Sequence, residues 1–411
     1  MLFGSGVVFA LLFVSLYFEI FLLVSFLERV FLGKRAFIDM SPTTGLPKVA
    51  IVVPCYNEAR ALSATMHSLL GLEYPKELLE IIVVDDGSRD ETLAIAQSFA
   101  YDSRVRVFHK ENGGKHTAMN YGLTHTDAAL LGCLDADSVV APDALMKIVP
   151  IFNDQKVAAV TPGIQVKTPV TMLQHMQNVE YRLSIFNRFI LAALGSVFIT
   201  PGPFSIFRAS VIKSLGGWRY AHSTEDMEMA LRIQEAGHMI ANAPGARVFT
   251  ATPATLRTLY RQRVRWTYGW LRNAIDYKHM FGNYRYGDLG LVILPFAIIS
   301  IFIGIYFFLR VAYYLSLALY TEYVKISYAG FHFHAAALDP FYFNTSAIWF
   351  LVWTSVTIIL ALICIGSFIG TGSRKPPIST PLFVIFYSFL VPLWLTAAVF
   401  RAFFKTGVRW R

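Results

Sequence analysis

A chain of 411 residues that is 55% hydrophobic and only 15% charged is too apolar to be a soluble domain alone, so membrane spans are the first thing to seek. Its net charge of +9 does not point to nucleic acid, because the basic residues cluster beside the apolar runs, where they serve orientation and anionic lipid. Cys55, Cys133 and Cys364 stand at no metal-ligand spacing, which excludes a zinc module and reads as buried free thiols in a cytosolic domain.

The first element is an apolar run over about 2–28, interrupted in its interior by Glu19 alone, and more than the roughly 20 residues that cross a bilayer. It lacks a basic leader, outruns the apolar core of a signal peptide and ends in no small-residue cleavage site, so an anchor within 1–33 is expected. Arg29, Lys34 and Arg35 follow it closely, which places the next segment, 34–288, on the cytoplasmic side of a cell membrane. That length suffices for one large domain. Further spans are expected at about 289–316, 346–370 and 381–403, with the sparsely charged loop 318–345 outside. Three such spans would leave the tail outside, yet Arg401, Lys405, Arg409 and Arg411 ask for the inside. Pro381 and Pro392 offer one reconciliation, a last run that re-enters or lies at the interface.

Within the domain, Lys48–Pro54 and Leu79–Val84 are short, apolar and β-branched, and Glu58–Leu70 between them has helical spacing. Val105–His109 and Ala129–Leu134 repeat the strand pattern. Continuous rather than alternating apolar strands, interleaved with helices, predict an α/β fold with a mainly parallel sheet covered on both faces. In such sheets ligands bind beyond the carboxyl ends of the strands. The polar clusters CYNE, DDGS, ENGGKH and DAD each follow one of the four strands, so one edge of the sheet is the expected site.

Asp85-Asp86-Gly87-Ser88 offers acceptor carboxylates on a glycine turn, suited to the N–H of a pyrimidine or the hydroxyls of a ribose, or simply to capping the next helix. Asp135 and Asp137 alternate along a strand and would point to opposite faces, but beyond the sheet both can approach one Mg²⁺ or Mn²⁺, which takes few carboxylates and leaves room for phosphate oxygens. Asn112-Gly113-Gly114-Lys115-His116 allows close backbone approach with a cation beside it.

The order VVPCYNE, VVDDGS, NGGKHTAMNYGL, LDAD, STEDMEMALR and QRVRW over roughly 45–275 resembles family 2 glycosyltransferases, in particular the membrane-embedded processive branch of cellulose, chitin, hyaluronan and poly-N-acetylglucosamine synthases. Gln262, Arg265 and Trp266 carry its most specific pattern. The NGGKHTAMNYGL stretch and the short chain look most similar to the poly-N-acetylglucosamine and chitin-oligosaccharide enzymes. The resemblance implies a GT-A domain that moves a sugar from a UDP-sugar, with inversion, to the end of a growing polysaccharide, with UDP-N-acetylglucosamine the expected donor. It implies Asp226 of Thr224-Glu225-Asp226 as the base and Asp137 with Asp135 at the metal. The donor site would draw on Pro54, Tyr56, Glu58, Asp85, Asp86, Asn112, Gly114, Lys115, Asp135, Gln262, Arg263 and Arg265. Trp266 and the Gly202-Pro203-Phe204 turn would meet the acceptor, although prolines on both sides of Gly202 depart from the cysteine- or serine-led versions of that motif.

Two amphipathic segments, about 176–199 and 255–280, are expected as interface helices touching lipid. Arg261 and Arg263 are open to a second reading there, as lipid-side charges. Arg310, inside an apolar span, would line a polysaccharide channel or reach for the interface. Two other functions stay open: single-sugar transfer to a lipid acceptor, and a degenerate sugar-nucleotide-binding subunit of an export complex, against which the presence of Asp85, Asp137 and Asp226 argues. Nothing in the motifs encodes the linkage or the need for an accessory membrane subunit.

Overall fold

The computed structural model describes residues 2–31, 45–330 and 346–404; Lys34, Arg35, Lys405, Arg409 and Arg411, used above for orientation, lie outside them. Helix α1 (Leu2–Phe31) leads to a domain that begins β1 (Val49–Cys55), α2 (Leu62–Leu70), β2 (Leu79–Asp85), α3 (Thr92–Gln97), β3 (Val105–His109), α4 (Lys115–Thr124) and β4 (Leu130–Cys133). It continues through β5 (Ser138–Val140), α5 (Ala144–Ile148), β6 (Val157–Val166), α6 (Met172–Ala193), β7 (Ile206–Arg208), α7 (Ala209–Ser214), α8 (Glu225–Glu235), β8 (Met239–Thr250) and α9 (Leu256–Asp276). Helices α10 (Leu294–Ala329), α11 (Ala347–Thr371) and α12 (Thr380–Phe403) complete it.

One eight-stranded sheet runs β3-β2-β1-β4-β7-β6-β8-β5. The four strands anticipated from sequence form its parallel half. Antiparallel β7 joins them to β6 and β8, which pair in parallel, and β5 closes the edge. Alternation along each strand divides the core. Val49, Ile51, Val53, Ile81 and Val83 pack with Leu62, Met66 and Leu69 of α2 on one face. Ala50, Val52, Ile82 and Val84 pack with Met119 of α4 and Met229 of α8 on the other. Both faces being covered is why these strands read as unbroken apolar runs, each fully buried branched side chain contributing about 1.5–3 kcal/mol. Cys55 and Cys133 are buried free thiols as expected, and burial pushes both far above the ordinary thiol value.

Four helices are long and apolar enough to cross a membrane: Gly6–Phe31, Leu289–Tyr328, Ala347–Thr371 and Thr380–Phe403. The second exceeds the expected 289–316. Residues 318–329, expected in a loop, are helical because no glycine or proline interrupts the sequence from Pro295 to Gly330 except Gly304. Thirty-six residues rise about 54 Å, well past the ~30 Å hydrocarbon core, and Tyr320, Tyr323 and Tyr328 are exposed on the extension. Arg310 sits over the Tyr314 ring at 5.0 Å.

Helix α6 joins sheet to spans. Thr171 Oγ1 accepts from Gln174 N while Gln174 Oε1 accepts from Thr171 N, a capping box that starts the helix at Met172, ahead of the expected 176. Gly195, at φ 62°, follows its end. Gly366 and Gly370 of α11 lie against the Arg182 carbonyl and Ile185 of α6, and Gln165 of β6 donates to the Gly370 carbonyl at 2.9 Å. Within the spans, Ser355 of α11 donates to Glu19 of α1 at 2.8 Å, giving that carboxyl the partner an intramembrane acid needs.

A Cβ on Gly366 would overlap the Arg182 backbone. Gly366→Val is therefore expected to lower thermal stability in detergent by about 1–3 kcal/mol through overpacking. Gly6→Ala, where the added atom meets nothing within 4 Å, should not. Equal melting temperatures for the two variants would show that the α6–α11 seam is not tightly packed.

Candidate active site

The carboxyl ends of β1, β2 and β3 lie side by side, Cys55 opposite Asp85 and Asp85 opposite His109. Asp85 is fully buried; its Oδ2 accepts from His109 Nδ1 at 2.7 Å and from Ser88 N at 3.3 Å. Its Oδ1 is buried without a hydrogen-bond partner, an uncommon state for a buried acceptor. The CYNE and DDGS turns are tied together, Asn57 N donating to Ser88 Oγ at 3.0 Å and Arg89 N to Asn57 Oδ1 at 2.8 Å. Glu58 N donates to Thr92 Oγ1 at 2.8 Å. Pro54 is engaged in β1 beside Val84, and Tyr56 stands half-buried just past the strand.

Asp86, expected in the donor site, bonds the glycine turn. Its Oδ1 accepts from Gly113 N at 3.0 Å and Lys110 Nζ at 2.5 Å, and its Oδ2 from Gly114 N at 2.8 Å. It is spent on shaping the glycine turn. Gly114, at φ 88°, turns the chain into α4 as few other residues could, while Asn112 stays at the exposed surface. Lys110 and His109, which sequence reasoning passed over, follow from position alone: they are the residues at the carboxyl end of β3.

Lys115 opens α4 and reaches across the sheet edge. Its Nζ donates to Asp135 Oδ1 at 2.7 Å and lies 3.7 Å from Glu225 Oε1. Burial opposes its charge, but Asp135, with help from Asp226 and Glu225, outweighs it and holds the ammonium well above the usual lysine value. Glu225 is raised as well, by burial and then by Asp226, which for a carboxyl disfavours the charge. Asp137 accepts from Ser138 Oγ at 3.1 Å. Burial, then Asp135 and Glu58, push its carboxyl up to about 6.

Asp226 lies in the first turn of α8, where the helix dipole favours a carboxylate. Its backbone carbonyl accepts from Thr200 N at 3.1 Å and Thr200 Oγ1 at 2.8 Å, and its Oδ2 from Gly202 N at 3.1 Å. Thr224 is a clamp rather than a reacting group. Its Oγ1 accepts from Asn273 Nδ2 of α9 at 2.9 Å, and Gly269 leaves room for it between the helices. His222 and Ser223, just ahead, hold left-handed backbone at φ 51° and 66°, and Arg265 Nη1 donates to the Ser223 carbonyl at 2.9 Å.

The Pro201–Phe204 turn divides in two. A Cβ on Gly202 would fall within 2.7 Å of both Asp135 oxygens and closer still to Lys115 Nζ, so this glycine touches the charged centre. Phe204, expected at the acceptor, instead drives its ring into the core beneath the sheet, fully buried, at φ 62°. Pro203 stays half-buried between them.

On α9 the motif splits by face. Arg263 and Arg265, two residues apart, are about 200° apart around the helix axis. Arg265 faces Asp226, Glu225 and Asp135. Arg263 contradicts both of its expected positions, lipid side and donor site. It is buried, bonds Glu180 Oε2 of α6 at 2.6 Å and lies 4.4 Å from the ring centre of Trp266. Gln262 keeps a buried Oε1 without a partner.

The site thus gathers acceptors at one end of a sheet edge, carboxylates beyond β4, and a carboxylate at a helix N-terminus beside two cations. The chain belongs to glycosyltransferase family 2, the description "Glycosyltransferase like family 2" matching residues 47–269, and its domain has the GT-A fold. A poly-beta-1,6-N-acetyl-D-glucosamine synthase of Staphylococcus epidermidis is 26% identical over 403 residues, 96% of this chain and 93% of the relative. A synthase of the same description from Staphylococcus aureus strain COL is 31% identical over 245 residues, 59% of this chain and 58% of its own. Among solved structures, the mannosyltransferase PcManGT from Pyrobaculum calidifontis, in complex with GDP-Man and Mn²⁺, superposes with a TM-score of 0.62 at 18% identity, covering 97% of this chain and 99% of that one. That is a likeness of fold.

Gly202→Ala tests the charged centre. The added methyl must displace Lys115 or Asp135, and misplacement of that order is expected to cost glycosyl transfer about a hundredfold with the fold intact. Turnover by a UDP-release assay, checked against circular dichroism, decides it; near-normal turnover would show that the Lys115–Asp135 pair is dispensable.

Proposed function

We propose that this glycosyltransferase elongates a polysaccharide processively from UDP-N-acetylglucosamine, with its active site on the cytoplasmic side of a cell membrane. The observation that carries the reading is the meeting of Asp226, Asp135 and Arg265 around Lys115, in a chain whose similarity to a poly-beta-1,6-N-acetyl-D-glucosamine synthase runs through domain and spans alike.

The chemistry follows from the geometry. The acceptor hydroxyl oxygen forms its bond to the anomeric carbon as the bond from that carbon to the diphosphate oxygen breaks, with inversion, and UDP leaves with the electron pair. The hydroxyl proton goes to Asp226. One oxygen of that carboxylate is fixed by the Gly202 N–H, which sets its direction and leaves Oδ1 for the acceptor. Lys115 and Arg265 supply fixed positive charge where the diphosphate becomes more negative, Arg265 through a planar fork of donors suited to phosphate oxygens. Asp85 Oδ1, buried and unpaired, receives a hydrogen bond from the nucleoside.

A divalent cation, Mg²⁺ or Mn²⁺, fits the residues present. Asp137 is raised by burial and by two neighbouring carboxylates, a repulsion that an oxygen-liganded cation relieves. Among the described residues no group of three His, Cys, Asp or Glu is placed to hold an ion, so Asp137 and Asp135 would hold it with much of its shell left to phosphate and water. Bound there, the cation supplies charge neutralisation for the leaving diphosphate.

Asp226→Asn is expected to lower transfer by about 10²–10⁴-fold, the range of general base catalysis, with UDP binding by calorimetry nearly unchanged; continued elongation would remove Asp226 as base. Cation binding should depend on pH. Asp137 has a raised value of about 6, so its ionised, ligating form is present above that and lost as pH falls through it. Mn²⁺ affinity, measured by electron paramagnetic resonance with UDP present, should drop up to about tenfold per pH unit below that point. A flat profile would take Asp137 out of the cation site. Polymer sized on a gel from UDP-N-acetylglucosamine separates processive synthesis from transfer of one sugar to a lipid.

A further inference from the structure

We propose that Arg263 is a positioning residue that sets the ring of Trp266, and with it the grip on the acceptor sugar, from a buried three-helix junction. The inference rests on the glycosyltransferase reading above and deepens it.

Three observations meet at this residue. Glu180 Oε2 of α6 accepts from Arg263 at 2.6 Å and from the Tyr387 hydroxyl of α12 at 2.8 Å, so one carboxylate binds α9 to an interface helix and to the last span. The guanidinium then lies over the Trp266 ring at 4.4 Å, within cation–π range. Arg263 is only 7% exposed, and Val264 beside it packs with Tyr387 and Trp394. Burial works against its charge, yet Glu180 outweighs it and keeps the guanidinium firmly ionised.

A buried ion pair of this kind gives little net stability compared with a well-packed apolar alternative, so its geometry is the better guide to its use. That geometry constrains two things. Pairing with Glu180 fixes the rotation of α9 about its own axis, which is what turns Arg265 toward Asp226. Stacking covers one face of Trp266 and leaves the other to a sugar ring, whose axial C–H groups pack on an aromatic face. Planarity matters to both functions: a guanidinium can lie flat on an indole and bond a carboxylate in its own plane, and an ammonium cannot do both.

The test compares Arg263→Lys, Glu180→Gln and the charge swap Arg263→Glu/Glu180→Arg in full-length protein reconstituted in lipid. Each is measured for melting temperature, for UDP affinity, for affinity toward a short N-acetylglucosamine oligosaccharide with UDP present, and for product length. Arg263→Lys should weaken oligosaccharide affinity about tenfold, as loss of a desolvated cation–π contact implies, and shorten the product, with UDP affinity unchanged. The swap should recover melting temperature by restoring opposite charges, without recovering oligosaccharide affinity, because no flat cation then covers Trp266. Recovery of both would reduce Arg263 to a structural ion pair and overturn the proposal, as would an equal loss of UDP affinity in Arg263→Lys. Wild-type protein that releases UDP without elongation would sink the polymerase reading alone, since oligosaccharide affinity still ranks the variants and decides this one.

Discussion

One buried ammonium organises the catalytic end of the sheet. Lys115 faces Asp135 from the end of β4 and Glu225 and Asp226 from the start of α8, three carboxylates that would repel one another if brought together without it. The elements that meet there are far apart in sequence, so this cation is what makes their convergence affordable. Its needs spread outward. Gly202 must lack a side chain for the pair with Asp135 to form, Gly114 must take left-handed backbone for α4 to start at Lys115, and Asp86 must hold the glycine turn from beneath.

Strain concentrates in the same place. Among the described residues, five that are not glycine have positive φ, and three of them, Phe204, His222 and Ser223, flank the two segments that converge on Asp226, with Asn57 and Thr168 elsewhere. Such conformations cost about 1–3 kcal/mol each and persist only where the surroundings over-determine them. Here the surroundings are identifiable. The Phe204 ring is locked in the core, and the Ser223 carbonyl is held by Arg265. Arg265 therefore belongs at once to the loop before α8 and to the charge field of Asp226.

The half of the fold that could be read in the sequence is the half whose physics is local. Strands buried on both faces must be continuously apolar, so β1 to β4 announced themselves, and polar residues at their carboxyl ends announced the site. What escaped depended on orientation or on distant pairing. Arg263 and Arg265 differ only in which side of α9 they occupy, and that side is chosen by Glu180, some eighty residues earlier. Asp86 and Asp85 are neighbours in an acidic pair, yet one is consumed by backbone N–H groups and the other keeps a free oxygen. Phe204 sat inside a motif assigned to the acceptor and turned out to be core. Antiparallel β7 and β5, and β8 beside them, carry short or mixed patterns that only pairing defines, β7 with β4, β8 with β6 and β5 with β8.

The seam between α11 and the domain has a mechanical meaning. Gln165 belongs to the sheet, Gly370 to the apolar helix α11, and one hydrogen bond joins them, while Gly366 brings α11 against the Arg182 backbone of α6. Where a glycine meets backbone in this way, close packing leaves little room for one helix to rock on the other. The sheet and the apolar helix are thereby fixed to each other, like a die bolted to its frame.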